Sequence, residues 1–67
     1  MKIVCAYNKK HQEIKKLIGM KIRSYQRALT LLNAGDHVTI ETDLGYKSVG
    51  RDEDGRGWIQ RRFSHDY

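Results

Sequence analysis

Apolar positions along this chain change their spacing twice, and each change marks an element. Residues 1–7 are apolar and β-favouring, which predicts a first strand with Ile3, Cys5 and Tyr7 on one face and Val4 and Ala6 on the other. Asn8, Lys9 and Lys10 break that pattern. Between residues 12 and 33 the apolar side chains include Ile14, Leu17, Ile18, Ile22, Tyr25, Ala28, Leu29 and Leu32. Their steps are mainly threes and fours, as one stripe of an α-helix requires. Gly35 supplies the stop, because glycine can take a left-handed position just beyond a helix. A continuous helix of about 22 residues would run roughly 33 Å. Strands of six or seven residues span only about 20–24 Å. The helix therefore either overhangs the sheet or breaks. Gly19 costs about 1 kcal/mol inside a helix, and Ser24 is a good N-cap for a shorter helix over 25–33.

The spacing then returns to two. Residues 37–42 alternate, with Val38 and Ile40 inward and Thr39 and Glu41 outward, as in a half-exposed antiparallel strand. Asp43, Leu44 and Gly45 form a tight turn, and residues 46–51 a third strand with Gly50 a candidate bulge. The run Asp52-Glu53-Asp54-Gly55 predicts a hairpin turn, residues 57–63 the last strand, and residues 64–67 a frayed tail. The fold class is α+β: one domain over 1–67, a small antiparallel sheet in β-α-β-β-β order with helix packed on one face.

Charge changes this picture more than composition does. Residues 1–34 hold eight basic side chains (Lys2, Lys9, Lys10, Lys15, Lys16, Lys21, Arg23 and Arg27) against Glu13 alone, a net +7. Residues 35–67 hold five basic residues against seven acids, a net −2. On a continuous helix Lys16, Arg23 and Arg27 would lie near one line with Gly19, opposite the apolar stripe, with Lys15 beside them. Solubilising faces normally mix both signs, so this row reads as a docking surface for something acidic. Arg61 and Arg62 add cations beside Phe63, and strand geometry turns only one of those two to any given surface. Tyr46 and Trp58 could stack on bases, although in so small a domain Trp58 reads first as the main core anchor.

The remaining chemistry is sparse. Cys5 is the only cysteine, so no intramolecular disulfide is available, and its strand context predicts a small buried core residue. Asp52, Glu53 and Asp54 lack the ligand spacing of a calcium loop and read as a solvated hairpin tip. His11-Gln12-Glu13 matches half of a zinc-deaminase signature whose second half, with its proline and paired cysteines, is missing. No nucleophile and base can be paired by spacing, so the expectation is a non-enzymatic protein with no cofactor and no metal. No apolar run reaches the ~20 residues of a membrane span, and residues 1–8 are too short for a signal peptide. The expected location is the cytoplasm of a host cell.

Several positions together resemble a known family. Ser24, Ala28 and Gly35, then Val38-Thr39-Ile40-Glu41-Thr42, Gly45, and Glu53-Asp54-Gly55 followed by Trp58, are similar to the type I-F anti-CRISPR proteins. These are small inhibitors from phages and mobile elements that bind backbone subunits of the CRISPR surveillance complex. The resemblance spans residues 24–60. It implies a phage-type inhibitor that stops target DNA from pairing with the guide. Family members dock through basic and amide side chains on and just after the helix, where this chain has Gln26 and Arg27. Leu29, Leu31 and Leu32 follow, so the family's adjacent basic pair is not reproduced. A basic protein cannot imitate DNA, so it would wedge sterically or attract nucleic acid itself.

Two readings follow. In the first, Lys15, Lys16, Arg23, Gln26 and Arg27, with Lys9, Lys10 and Arg61, dock on a host protein or ribonucleoprotein complex, Cas proteins being the implied partners. In the second, the same residues bind phosphates directly, as in a small nucleic-acid-binding regulator. A homodimer through sheet edges is compatible with either.

Overall fold

The computed structural model describes residues 1–60 of the chain. Four strands form one antiparallel sheet in sequential order: β1 (Lys2–Tyr7), β2 (His37–Thr42), β3 (Gly45–Arg51) and β4 (Gly57–Ile59). One short helix, α1 (Tyr25–Thr30), and one 3₁₀ turn, Lys15–Leu17, lie between β1 and β2. The expected last strand extends beyond β4, and residues 61–63 lie outside the described residues.

Strand pairing decides which side chains are buried. Val38 faces Ala6 on one side and Val49 on the other, while Ile40 faces Ile3, and all five are fully buried. The alternation expected for 37–42 is observed. In β1 it is not, because the register slips between Ile3 and Cys5 and leaves Val4 as an extra residue. The bulge lets Ile3 and Ala6 share the buried face. Cys5 and Tyr7 consequently turn to the opposite face, where they stand beside Thr39 and His37. Cys5 is half-buried there, and the expectation of a core cysteine is corrected. Gly50 makes no bulge, since it pairs in unbroken register with His37.

The largest departure from the sequence pattern concerns residues 12–22, where no α-helix forms. Instead the chain doubles back along the outer edge of β1. Asn8 turns it: its side-chain oxygen accepts from the Lys10 and Gln12 amides, and His11 takes a positive φ of 61°. Ile14 N–H then donates to Ala6 O at 2.9 Å, and Gly19 N–H to Ile3 O at 2.7 Å. Ile3 N–H donates to Met20 O, and Ile22 N–H to Met1 O, both at 2.9 Å. These bonds give the edge of β1 partners it would otherwise seek from water or another chain. A half-helix of about ten residues is marginal by itself, and Gly19, with φ at 91°, sits in a conformation costly for any other residue. Leu17 and Ile22 are still buried, so the spacing that suggested a helix is satisfied by a strap with a 3₁₀ turn.

Helix α1 begins where the sequence pattern placed its cap. Ser24 Oγ accepts from Arg27 N–H at 3.2 Å, and Ala28 and Leu29 turn inward. The buried cluster joins Ile3, Ala6, Val38, Ile40 and Val49 to Leu17, Ile22, Ala28, Leu29 and Leu32. Arg51 ties this arrangement together at one end. Its Nε donates to Leu29 O at 2.9 Å and its Nη1 to Gly55 O at 2.7 Å, linking α1 to the β3–β4 turn. Asp36, the one buried charged residue among those described, accepts from Asn33 N–H at 2.9 Å.

Arg51→Met removes both guanidinium bonds and leaves Leu29 O without that donor. Urea unfolding should show a loss of roughly 1.5–3 kcal/mol, and Arg51→Lys should recover only part of it because it lacks the planar fork.

Candidate cationic and aromatic surface

The eight cations of the first half are all exposed. Lys2 opens β1, and Lys9 and Lys10 sit in the Asn8 turn. Lys15 and Lys16 lie in the 3₁₀ turn, while Lys21 faces Lys2 across the strap and Arg23 precedes the cap of α1. Arg27 lies on α1, with Gln26 exposed beside it. Among the described residues, none of these eight side chains has a carboxylate or hydrogen-bond partner. Two cations of the second half behave differently. Arg51 is bonded internally, and Lys47 Nζ lies 5.1 Å from the centroid of the Tyr25 ring.

The single row through Lys16, Arg23 and Arg27 is not formed. It required an unbroken helix, and the chain is already extended at Ile18, directly after the 3₁₀ turn. Lys16, Arg23 and Arg27 instead occupy the 3₁₀ turn, the link before Ser24, and α1. The cations are exposed along the strap and on α1 rather than lined up on one helix. Arg61 lies outside the described residues.

The acidic tip is built for the turn. Asp52 Oδ1 accepts from Asp54 N–H at 3.0 Å and from Arg56 N–H at 2.9 Å. Among the described residues, no three His, Cys, Asp or Glu side chains gather as a metal-holding group. An open depression of about 580 Å³ lies where the strap meets the β2–β3 turn. Lys2, Lys21, Tyr25, Glu41 and Asp43 help to line it, so its charge is mixed.

Trp58, like Cys5, is not the core residue that the sequence pattern suggests. It is 41% exposed and pairs with Gly50, whereas its neighbour Ile59 pairs with the buried Val49. Parity therefore turns Trp58 to the face opposite the core. Its ring lies over Gly50, where an added Cβ would come 2.6 Å from Trp58 Cζ2 and 2.8 Å from Asp36 O. On the same face the Tyr7 and His37 rings have centroids 5.8 Å apart and planes tilted by 32°. Tyr7 and His37 had no signal in a linear reading. Trp58 had one: counting strand parity back across the Asp52 turn from Val49 would have turned it outward.

The chain matches no family model, no curated protein and no solved structure. No helix among the described residues is long and apolar enough to cross a membrane.

Gly50→Ala should move the indole and strain the backbone at Asp36 O together. A shift in Trp58 emission and a loss of roughly 1–3 kcal/mol on unfolding are expected. An unchanged emission spectrum would contradict the placement of the ring.

Proposed function

We propose that this protein is a non-enzymatic nucleic-acid-binding regulator that contacts phosphates through Lys9, Lys10, Lys15, Lys16, Arg23 and Arg27, with Gln26 beside them. The observation that carries this reading is the difference between two sets of cations. Arg51 and Lys47 are engaged within the fold, whereas those of the strap and α1 are exposed and have no partner among the described residues. Unpaired like charges repel one another, and that repulsion is relieved when they meet a polyanion. Each phosphate they neutralise releases condensed counterions, so affinity falls steeply as salt rises. Such contacts hold a backbone without reading its sequence.

The second reading is the phage-type inhibitor that docks on a type I-F CRISPR surveillance complex and blocks target DNA. What favours it is the run from Ser24 to Trp58. Ser24 caps a helix, β2 ends in Ile40-Glu41-Thr42, and the Asp52–Gly55 turn precedes Trp58, in the order that the resemblance implies. Gln26 and Arg27 are exposed on α1 and would make the contact. A cytoplasmic location in the host suits both readings.

Fluorescence anisotropy with a labelled oligonucleotide tests the first reading. Four phosphate contacts predict a log–log salt slope of roughly −3 to −4, and replacing Lys15 and Lys16 with Gln should reduce its magnitude by about 1.5–2. Affinity too weak to measure at ~50 mM salt would overturn the reading, because phosphate contacts are strongest there. For the second reading, stoichiometric protein should abolish target-DNA binding by a purified type I-F surveillance complex. Arg27→Glu should restore that binding, and an unaffected complex would contradict the inhibitor reading.

A further inference from the structure

The bridge between Lys2 and Lys21 sets two ammonium side chains against each other where the strap closes the sheet. The bonds on either side, Ile3 N–H to Met20 O and Ile22 N–H to Met1 O, make it a non-hydrogen-bonded pair. In such pairs the α-carbons approach to about 4.5 Å and the side chains stand close together. Ile3 and Ile22 are buried, so Lys2 and Lys21 turn to the opposite face, where both are exposed. Glu41 stands opposite Lys2 on its other side, and the row from Lys21 through Lys2 to Glu41 has two cations for one carboxylate. Like charges placed directly opposite weaken strand pairing.

The segment that bears this repulsion is lightly held. The strap buries Leu17 and Ile22, whereas Ile18 between them is 37% exposed. Segments with few buried contacts open locally at a lower cost than the whole fold. An anion seated between the two lysines replaces their repulsion with two attractions, and it can do so only while the strap is closed. A group that binds the closed form better than the open one favours closure, and closure favours its binding by the same factor. Lys15, Lys16 and Arg23 lie in the same segment and are exposed, which suits a repeating anion better than a single one. Nucleic acid offers a phosphate at every nucleotide.

We propose that Lys2 and Lys21 hold a backbone phosphate of nucleic acid between them and that this contact tightens the strap on the edge of β1. The proposal rests on the nucleic-acid reading above. It adds a site outside the set of cations already assigned to phosphates and gives binding a consequence for the fold.

The test follows hydrogen exchange of the Ile3 and Ile22 amides in the full chain at ~50 mM salt, alone and with a saturating oligonucleotide of about 15 nucleotides. Anisotropy of the labelled oligonucleotide reports binding independently. Protection of both amides should rise at least about two- to fivefold on binding. Lys21→Gln removes the repulsion, so without nucleic acid it should raise the same protection roughly two- to fivefold, and the oligonucleotide should then add less. Binding with unchanged protection overturns the proposal and leaves the phosphate reading standing. So does a Lys21→Gln protein with wild-type protection and the full gain on binding. Absence of binding overturns the phosphate reading and the proposal together. Inorganic phosphate, at matched ionic strength and equal phosphate concentration, should leave protection unchanged. An equal rise would assign the site to free phosphate and overturn the nucleic-acid contact.

Discussion

The outer edge of β1 is the constraint on which the rest of this structure depends. A strand at the margin of a sheet exposes a row of amides and carbonyls that must find partners. This chain supplies them from its own next segment, through the bonds that Ile14, Gly19, Met20 and Ile22 make with Met1, Ile3 and Ala6. Residues committed to that edge cannot also form a helix. The helix is therefore confined to Tyr25–Thr30, and Gly19 takes the positive φ that the return path needs. Among the described residues, the helix and strap cover one face of the sheet, and the other face carries half-exposed aromatic side chains.

The same constraint distributes the charge. A segment that runs along an edge buries only an occasional side chain, here Leu17 and Ile22, and presents most of the others outward. Lys9, Lys10, Lys15, Lys16 and Lys21 are among those exposed. Their positive character costs the fold little because exposed charges are screened by water and salt. Arg51 has the opposite role, since its guanidinium holds a helix carbonyl and a turn carbonyl at once. Arg51 is thus tied into the fold, whereas the cations of the strap are exposed. Mutations that probe binding can be made without disturbing the core.

Local chemistry made much of the fold legible in advance. Ser24 as a helix cap, Val38 and Ile40 as inward residues, and the turns at Asp43 and Asp52 all depend on neighbours close in sequence. The misassignments share a different cause. Whether residues 12–22 are helix or strap depends on an edge that another strand creates, and an apolar spacing of three and four serves both. The faces of Cys5 and Tyr7 depend on a bulge opposite Thr39 and Ile40, which no feature of residues 1–7 announces. Trp58 was placed in the core because large aromatic residues usually are, whereas pairing of Ile59 with Val49 had already taken the inward position. The cationic residues were legible as a set, but their arrangement was not, because the row depended on the helix that the edge displaced.

Nuclear magnetic resonance on the labelled full chain tests edge closure most directly. Lys2 and Lys21 are partners in an antiparallel bridge whose flanking bonds, Ile3 to Met20 and Ile22 to Met1, make them a non-hydrogen-bonded pair. Such pairs bring their α-carbons to about 4.5 Å. Edge closure predicts a strong cross-peak between the Lys2 and Lys21 α-protons, slow exchange of the Ile3 and Ile22 amides, and non-helical carbon shifts through residues 18–22. Helical shifts across 12–22, with no Lys2–Lys21 cross-peak and a fast-exchanging Ile3 amide, would contradict it.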